Sequence, residues 1–517
     1  MLSALRSSTM NGGRSIGAHA DALARFLSRH GPGGPVYAAR APGRVNLIGM
    51  HIDHQGGAVN PIGVRETRIL ARPRHDGRIR VANADDRFPD AEFLLADILP
   101  AGPVNWSEWT HDVSARREAA GNEVDWSDYV KAALIALQEQ ERNRKGAYLR
   151  RLKGMDLWVE SDVPVAAGLS SSSALVVATA YAAMACNDMT HSPELLVRLL
   201  GESEWYVGLR GGIGDHAVIL LAKEGHLSHI ELLPTRVEYA PFPEDCRVVV
   251  CHSGVSAEKS AGAKNTYNER VAGYGIGLLL LRDRYPEQMA RVERFRDLHP
   301  AQMGVSVAEL YGMLGSLPVR ARRHDLAALL PTATDALSRL YASHDEYPDG
   351  YRVRGVCLYG AAECERSRRA LDHLRTHDIA AFGALMHASH DGDRVVDAAG
   401  LPFEADVSDS ALRRLATLSD SPAADDRAAA ALHRQPGVYA ASCAELDALV
   451  DCAKGVEGIL GAGLVGAGLG GCISVLVLSD HVGELTDAVT RGYYARRDIE
   501  PFVEVCVPVR GASVMPA

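Results

Sequence analysis

The order of its segments predicts an α+β chain. Strand-like alternation crowds into the first part, helical periodicity dominates from about 255 to 400, and apolar strands return near the C-terminus. The 517 residues suffice for two or three domains.

The elements follow in order. Residues 1–35 read as an N-terminal extension carrying one helix, Ala18–His30, closed by "GPGGP". "VYAARAPGRVNLIG" alternates as a strand that runs into a Pro-Gly turn. "ETRILARPRH" and "GRIRVANADD" read as further strands. "DWSDYVKAALIALQEQ" has an Asp cap and apolar residues at helical spacing. "GMDLWVESDVP" is a strand leading through a glycine-serine turn into the apolar helix from Ala174. A helix over Glu194–Trp205 follows, then "HAVILLA" and "HLSHIEL" as strands. "RVVVCHSGV" is a strand that opens a second half. Residues 402–436 carry an Ala/Asp-rich stretch that reads as a surface insertion, and "CISVLVL" and "FVEVCVPV" are the closing strands. No internal repeat is visible.

Composition narrows the function classes. Apolar residues at 47% and charged ones at 23% are ordinary for a soluble globular protein. The net charge of -10 argues against general nucleic-acid or anionic-membrane binding, though an anionic substrate needs only local cations. Nine scattered cysteines with no CxxC pair suggest neither a disulfide framework nor a zinc ribbon, and fit a reducing cytoplasm. The N-terminus lacks the apolar core of a signal peptide, and no apolar run reaches the ~18 residues of a membrane span.

Four stretches could carry chemistry. "PVAAGLSSSSAL" (Pro164–Leu175) is a strand-to-helix turn rich in serine. A helix N-terminus offers free N–H groups and a positive dipole end to a phosphate. A plain serine-capped helix fits the stretch about as well. The P-loop lysine is absent. "GAGLVGAGLGG" (Gly461–Gly471) contains GxGxxG twice, but a helix precedes it and a strand follows, the reverse of a dinucleotide fingerprint. "GLRGGIGDH" places Asp215 in a glycine loop, where an aspartate is more often a turn former than a catalytic base. "GMHIDHQGG" holds His51, Asp53 and His54 too close together to converge on one metal ion. It suits a sugar-gripping loop, with Asp53 accepting two hydroxyl hydrogen bonds and His51 orienting it. The plain alternative is a polar hairpin turn.

Taken in order, these stretches resemble the GHMP small-molecule kinases, and within them the galactokinase family. The family's GRVNLIGEHTDYNGG is matched by "GRVNLIGMHIDHQGG" (Gly43–Gly57), its GLSSSA by "GLSSSSA" (Gly168–Ala174), and its GIMDQ by "GIGDH" (Gly212–His216). YNxRR becomes "YNERV" (Tyr267–Val271), SCxELDxLV becomes "SCAELDALV" (Ser442–Val450), and GAGFGGC becomes "GAGLGGC" (Gly466–Cys472). The matches run from about residue 37 to the C-terminus. The resemblance implies a two-domain GHMP kinase fold, residues 36–245 and 246–517, with the active site in the cleft between them. It implies a cytoplasmic enzyme, monomer or homodimer, that takes a sugar and ATP and has no nucleic-acid or membrane partner.

The resemblance also implies roles. Gly168, Leu169, Ser170, Ser171, Ser172 and Ser173, with Gly466 and Gly468, bind the ATP phosphates. Ser172 and Glu204 serve Mg²⁺. Asp215 accepts or orients the anomeric proton, and Arg44 holds Asp215 ionised. His51, Asp53, Met50, Gly212 and Tyr267 hold the sugar.

Three departures matter. Met50 stands where galactokinases have a glutamate facing the C6 hydroxyl. Its absence would admit a uronic acid, because two close buried carboxylates repel by several kcal/mol. This loop, with "YxGLRxGIxD" and "YNxRV", looks most like the galacturonokinase branch, so galacturonic acid is the expected substrate. Arg65, Arg68 and Arg210 are candidate partners for its carboxylate. Ser203 occupies the family's metal-binding Glu position, flanked by Glu202 and Glu204. Gly463 and Val465 replace the usual Arg and Thr of the last motif. Rival readings are a galactokinase that tolerates Met50 (acting on galactose or L-arabinose), a non-catalytic sugar sensor, and an NAD oxidoreductase.

Overall fold

The computed structural model describes residues 13–143, 145–165, 167–208, 212–256 and 261–517. Twelve strands form among them: β1 Tyr37–Ile48, β2 Asn60–Arg74, β3 Arg78–Asn83, β4 Ala91–Leu94, β5 Gly154–Ser161, β6 His226–Glu231, β7 Arg236–Pro241, β8 Cys246–His252, β9 Ile459–Leu464, β10 Cys472–Leu478, β11 Val503–Cys506 and β12 Ser513–Pro516.

β1 does not stop at Pro42-Gly43, as the sequence predicts. Its pairing with β2 shifts register between Ala41 and Gly43, and the strand continues to Ile48. A proline fits inside a strand at such an irregularity, where the ladder needs no N–H from it. The larger sheet has the order β12-β1-β2-β5-β3-β4, antiparallel except for β3 beside β5. β12 brings the C-terminus back onto β1, so the last strand crosses the division expected near residue 245. The smaller sheet, β11-β8-β10-β9, is antiparallel throughout. β6 and β7 form a hairpin tied to the larger sheet by a bridge between Val59 and Ile230.

Alternation along β1 and β2 divides the larger sheet into two faces. Ala39 and Ile69 join the main core with the helices Ser127–Gln140, Ser171–Cys186, Pro193–Ser203 and Gly214–Leu221. Ala38 and Leu70 face the N-terminal helix Gly13–His30 through Ala22 and Phe26. "HAVILLA", predicted as a strand, lies in the helix Gly214–Leu221. A short apolar run has no period that separates a buried helix from a buried strand, and contact with the neighbouring helices decides it.

The stretch from 261 to 393 is helical as predicted and builds its own core with Tyr274, Tyr311 and Tyr359. The 402–436 stretch folds as the helices Asp409–Ser419 and Ala424–Ala429 and a turn at Leu432–Arg434, with Leu412 and Leu432 entering that core. A further core joins Val45 and Ile62 to Val248, Phe382 and Met386, welding the two halves where the site lies. No disulfide forms among the nine cysteines. No helix of the described residues is long and apolar enough to cross a membrane.

The N-terminal helix is anchored by charge. Asp156 on β5 is buried and receives Arg72 Nη2 at 2.9 Å, Arg74 Nη1 at 3.0 Å and Arg80 Nε at 2.7 Å. Arg72 also donates to the carbonyls of His30, Gly31 and Gly33, closing the helix's C-terminus. Asp156→Ala strands these cations, and breaking such a buried pair costs about 3–5 kcal/mol. Urea unfolding should show that loss, with early proteolysis at Gly31–Gly34.

Candidate active site

The site begins where β1 passes the serine turn. Gly43 is required there: a Cβ on it would lie 2.6 Å from the Leu169 carbonyl oxygen. Arg44 N donates to that same oxygen at 3.0 Å. Gly168 has φ +72°, and Ser170, at φ +58°, stands at the N-cap of the helix Ser171–Cys186 without a capping bond from its side chain. Gly168 is exposed, Ser170, Ser171 and Ser172 are half-buried, and Leu169 and Ser173 are buried. The first turn of a 16-residue helix, with its free N–H groups, therefore opens beside an accessible glycine.

Arg44 and Asp215 meet across 171 residues of sequence. Arg44 Nε donates to Asp215 Oδ1 at 2.7 Å, Nη2 donates to Oδ2 at 2.9 Å, and Nη1 reaches the Gly168 carbonyl at 2.7 Å. Ser170 Oγ donates to Asp215 Oδ2 as well. Burial pushes the Asp215 carboxyl up, but the Arg44 charge and the bonds from Arg44 and Ser170 outweigh it and hold the group below the ordinary carboxylate value. Its side chain keeps 37% exposure, so the pair borders solvent rather than the core.

The sugar-loop candidates divide into two sets. Asp53 sits in a short turn, Asp53–Gln55, with its carboxylate against Gly212: a Cβ on Gly212 would meet Asp53 Oδ2 at 2.9 Å. Burial raises the Asp53 carboxyl, and the His54 ring 3.4 Å away more than offsets it. The Tyr267 ring lies 6.3 Å from that of His54, and its hydroxyl is pushed up by burial and then by the charges of Asp53 and Asp215. Asp53 Oδ2 would also meet a Cβ on Gly214 at 3.7 Å, so Asp53 stands against the segment that carries Gly212 and Asp215. His51 and Met50 lie beneath them. The His51 ring is stacked on Tyr439 at 4.2 Å, with Nε2 3.2 Å from Asp393 Oδ1, and is 2% exposed. Met50 is buried, and its sulfur is 3.5 Å from Asn46 Nδ2.

Of the three residues considered for the metal, Glu204 is the one at the serine turn. Its Oε1 accepts from Ser173 Oγ at 2.7 Å and lies 3.3 Å from His216 Nε2. Ser203 is buried and donates to the Leu200 carbonyl. The Tyr129 hydroxyl is pushed up to about 12 by burial and by the charges of Glu204 and Asp128. Among the described residues, no cluster of three His, Cys, Asp or Glu side chains could bind a metal alone. Ser172 and Glu204 offer oxygen donors, the type Mg²⁺ takes when phosphates complete its shell.

The late glycine run spans the end of β9 and the turn into β10, not a turn from a strand into a helix, which removes the dinucleotide reading. Gly466 and Gly468 both have φ +77°, and a Cβ on Gly468 would lie 2.0 Å from the Ala441 carbonyl oxygen. The Val465 carbonyl approaches Gly168, so both glycine turns border the same opening. Arg65 is paired with Glu504, and Arg68 donates to Glu66 at 2.6 Å. Both are thus committed to other acids, and Arg210 lies outside the described residues.

Family models match the chain in three places. The galactokinase galactose-binding signature covers residues 24–72, the GHMP kinase N-terminal domain 128–223, and the GHMP kinase C-terminal domain 411–495. The galactokinase of Chloroflexus aurantiacus is 30% identical over 93% of this chain and 93% of its own length. The chain belongs to the galactokinase family of GHMP kinases. The Saccharomyces cerevisiae galactokinase is 26% identical over 91% of this chain and 88% of its own. The crystal structure of Lactococcus lactis galactokinase complexed with galactose superposes with a TM-score of 0.64 at 22% identity, covering 96% of this chain and 99% of that one. Its likeness establishes the two-domain GHMP fold.

Within this galactokinase-family fold, sequence reasoning misses the supporting side chains. His216 is visible only as the neighbour of Asp215, and Tyr129 only as a polar position on an apolar helix. Asp393 and Glu363 come from the helical region, and Tyr439 from the irregular stretch before the helix Ala444–Lys454, and none carries a local signal. The Arg44–Asp215 pair stabilises the fold above the ordinary carboxylate range and loses that contribution as pH falls through the lowered native value. Arg44→Met removes the largest influence opposing burial and leaves the Ser170 bond, so the Asp215 carboxyl should titrate higher than in the parent chain. Carbon-detected NMR of labelled aspartate across pH 2–7 reads the shift.

Proposed function

We propose that this galactokinase-family sugar kinase transfers the terminal phosphoryl group of ATP to the anomeric hydroxyl of a galactose-type sugar. The observation that carries the reading is the bidentate Arg44–Asp215 pair beside the serine turn, with the Asp53 carboxylate against Gly212 and Gly214 of the same segment. Asp215, held ionised, orients the anomeric hydroxyl and accepts its proton. Arg44 balances that charge and supplies positive potential where the phosphoryl group passes. Gly168 through Ser173 and the Gly466–Gly468 turn receive the phosphates with backbone N–H groups. Ser172 and Glu204 would hold Mg²⁺, which when bound neutralises phosphate charge. Asp53 accepts from sugar hydroxyls, against the Gly212 backbone and Tyr267. Positioning and charge balance, rather than covalent chemistry, then account for the rate.

The relatives' activity favours galactose as the acceptor. Met50 favours a second reading, galacturonic acid, because the carboxylate that would repel a C6 acid is missing. Galactose, galacturonate and L-arabinose scored for ADP release in the presence of Mg²⁺ separate the two. No release with any of them would leave a sugar-binding protein without transfer.

Asp215→Asn should lower kcat at least ~100-fold, the low end for a positioned proton acceptor; turnover within tenfold of the parent would remove the assigned role. Met50→Glu should move the kcat/KM ratio toward galactose. An unchanged ratio would mean that position 50 does not read C6.

A further inference from the structure

The loop that carries Asp53 runs from Gly49 to Asn60 and has little structure of its own beyond one short turn. Three of its residues sit in the left-handed region, Gly49 at φ +94°, His51 at φ +61° and Gly56 at φ +79°. Gly49 is obligatory, since a Cβ there would lie 2.3 Å from the Ala58 carbonyl oxygen. A side chain at positive φ is strained and persists only where the surroundings fix it.

One face of the helix Val353–Arg375 provides that fixing. Glu363 Oε1 accepts two consecutive backbone N–H groups, from Gly49 at 2.7 Å and Met50 at 2.9 Å. Its Oε2 accepts from Arg366 Nε at 2.5 Å, and both side chains are fully buried. Arg366 Nη1 continues to the carbonyls of His433 at 3.1 Å and Gln435 at 2.8 Å. Four residues after Glu363, Ser367 Oγ donates to the Ala58 carbonyl at 2.6 Å and accepts from Asn60 Nδ2 at 2.8 Å. Positions 363, 366 and 367 share one helix face, so a single turn holds both ends of the loop.

We propose that Glu363, backed by Arg366, and Ser367 are positioning residues that set the sugar affinity of the Asp53 loop without touching the sugar. The buried carboxylate fixes the start of the loop and the serine fixes its end. The Leu432–Arg434 turn, through Arg366, belongs to the same support. This inference rests on the proposed sugar site.

The test separates the two. The parent chain is first assayed with the three sugars and, independently of turnover, titrated with each by calorimetry. Glu363→Gln keeps an acceptor for the two N–H groups but sets an amide N–H against Arg366 Nε. Losing a charge-assisted bond of this kind should raise the sugar KM and Kd roughly tenfold, with the KM for ATP within twofold of the parent. Adding Arg366→Met removes the donor that faces the amide and should recover part of the lost sugar affinity, short of the parent because the tie to the His433 and Gln435 carbonyls goes with it. Ser367→Ala, a milder change, should raise the sugar KM several-fold with kcat little altered. A sugar KM unchanged in folded Glu363→Gln, an equal rise in the KM for ATP, or failure of the double variant to recover would overturn the inference. If Glu363→Gln does not fold, Ser367→Ala decides: no change in sugar Kd ends the proposal. A parent chain that turns over no sugar refutes the kinase reading, while the calorimetric comparison still judges the clamp.

Discussion

The site depends on one ion pair. Arg44 leaves β1 within the larger sheet, and Asp215 stands in the first turn of a helix on that sheet's covered face. Their bidentate contact fixes the distance between strand and helix, and Ser170 ties the serine turn to the same carboxylate. An isolated aspartate in this position would be driven toward its neutral form by burial. The guanidinium reverses that, so the structural tie and the electrostatic poise are the same interaction. A fork-shaped donor is needed because Arg44 serves three acceptors at once: both carboxylate oxygens and the Gly168 carbonyl.

Close backbone approach is the second constraint. Gly43 lets β1 touch Leu169, Gly212 lets Asp53 press against the segment that leads to Asp215, and Gly468 lets the late turn pass Ala441. At each of these positions a Cβ would fall inside contact distance of backbone or of the Asp53 carboxylate. The glycines that make the motifs recognisable in sequence are therefore the ones that allow separate chain segments to converge on one opening.

That explains what sequence reveals and what it hides. Gly43–Gly57, the serine turn and Asp215 are legible because their chemistry needs particular residues at short spacing. The strands β1, β5, β8 and β10 are legible because apolar alternation or apolar runs bounded by turns persist through them. The helix Gly214–Leu221 is not, since a short apolar run has no usable period. β12 is not, since its pairing with β1 spans nearly the whole chain. Nor is Glu363, an acid in a helix whose meaning comes only from the N–H groups it meets 314 residues away. Local pattern discloses groups that act on ligands; groups that act on the backbone appear only after folding.

Met50 brings the two constraints together at the question of substrate. Its backbone N–H is bound to Glu363, its side chain is buried, Asp393 lies 3.2 Å from the ring of the adjacent His51, and Asp53 follows three residues on. A glutamate at 50 would add one more negative charge among these acids. Two such charges 4 Å apart repel by about 4 kcal/mol at an intermediate dielectric. Methionine removes that repulsion toward a C6 carboxylate but offers it no attraction, and Arg65 and Arg68 are committed to other acids. Selectivity obtained by deleting a repulsion is weaker than selectivity built from a dedicated cation. On this argument a methionine at 50 would tolerate a C6 acid without demanding one, and Asp53, proposed to meet hydroxyls common to galactose and galacturonate, would add equally to both and leave the discrimination to the surroundings of C6.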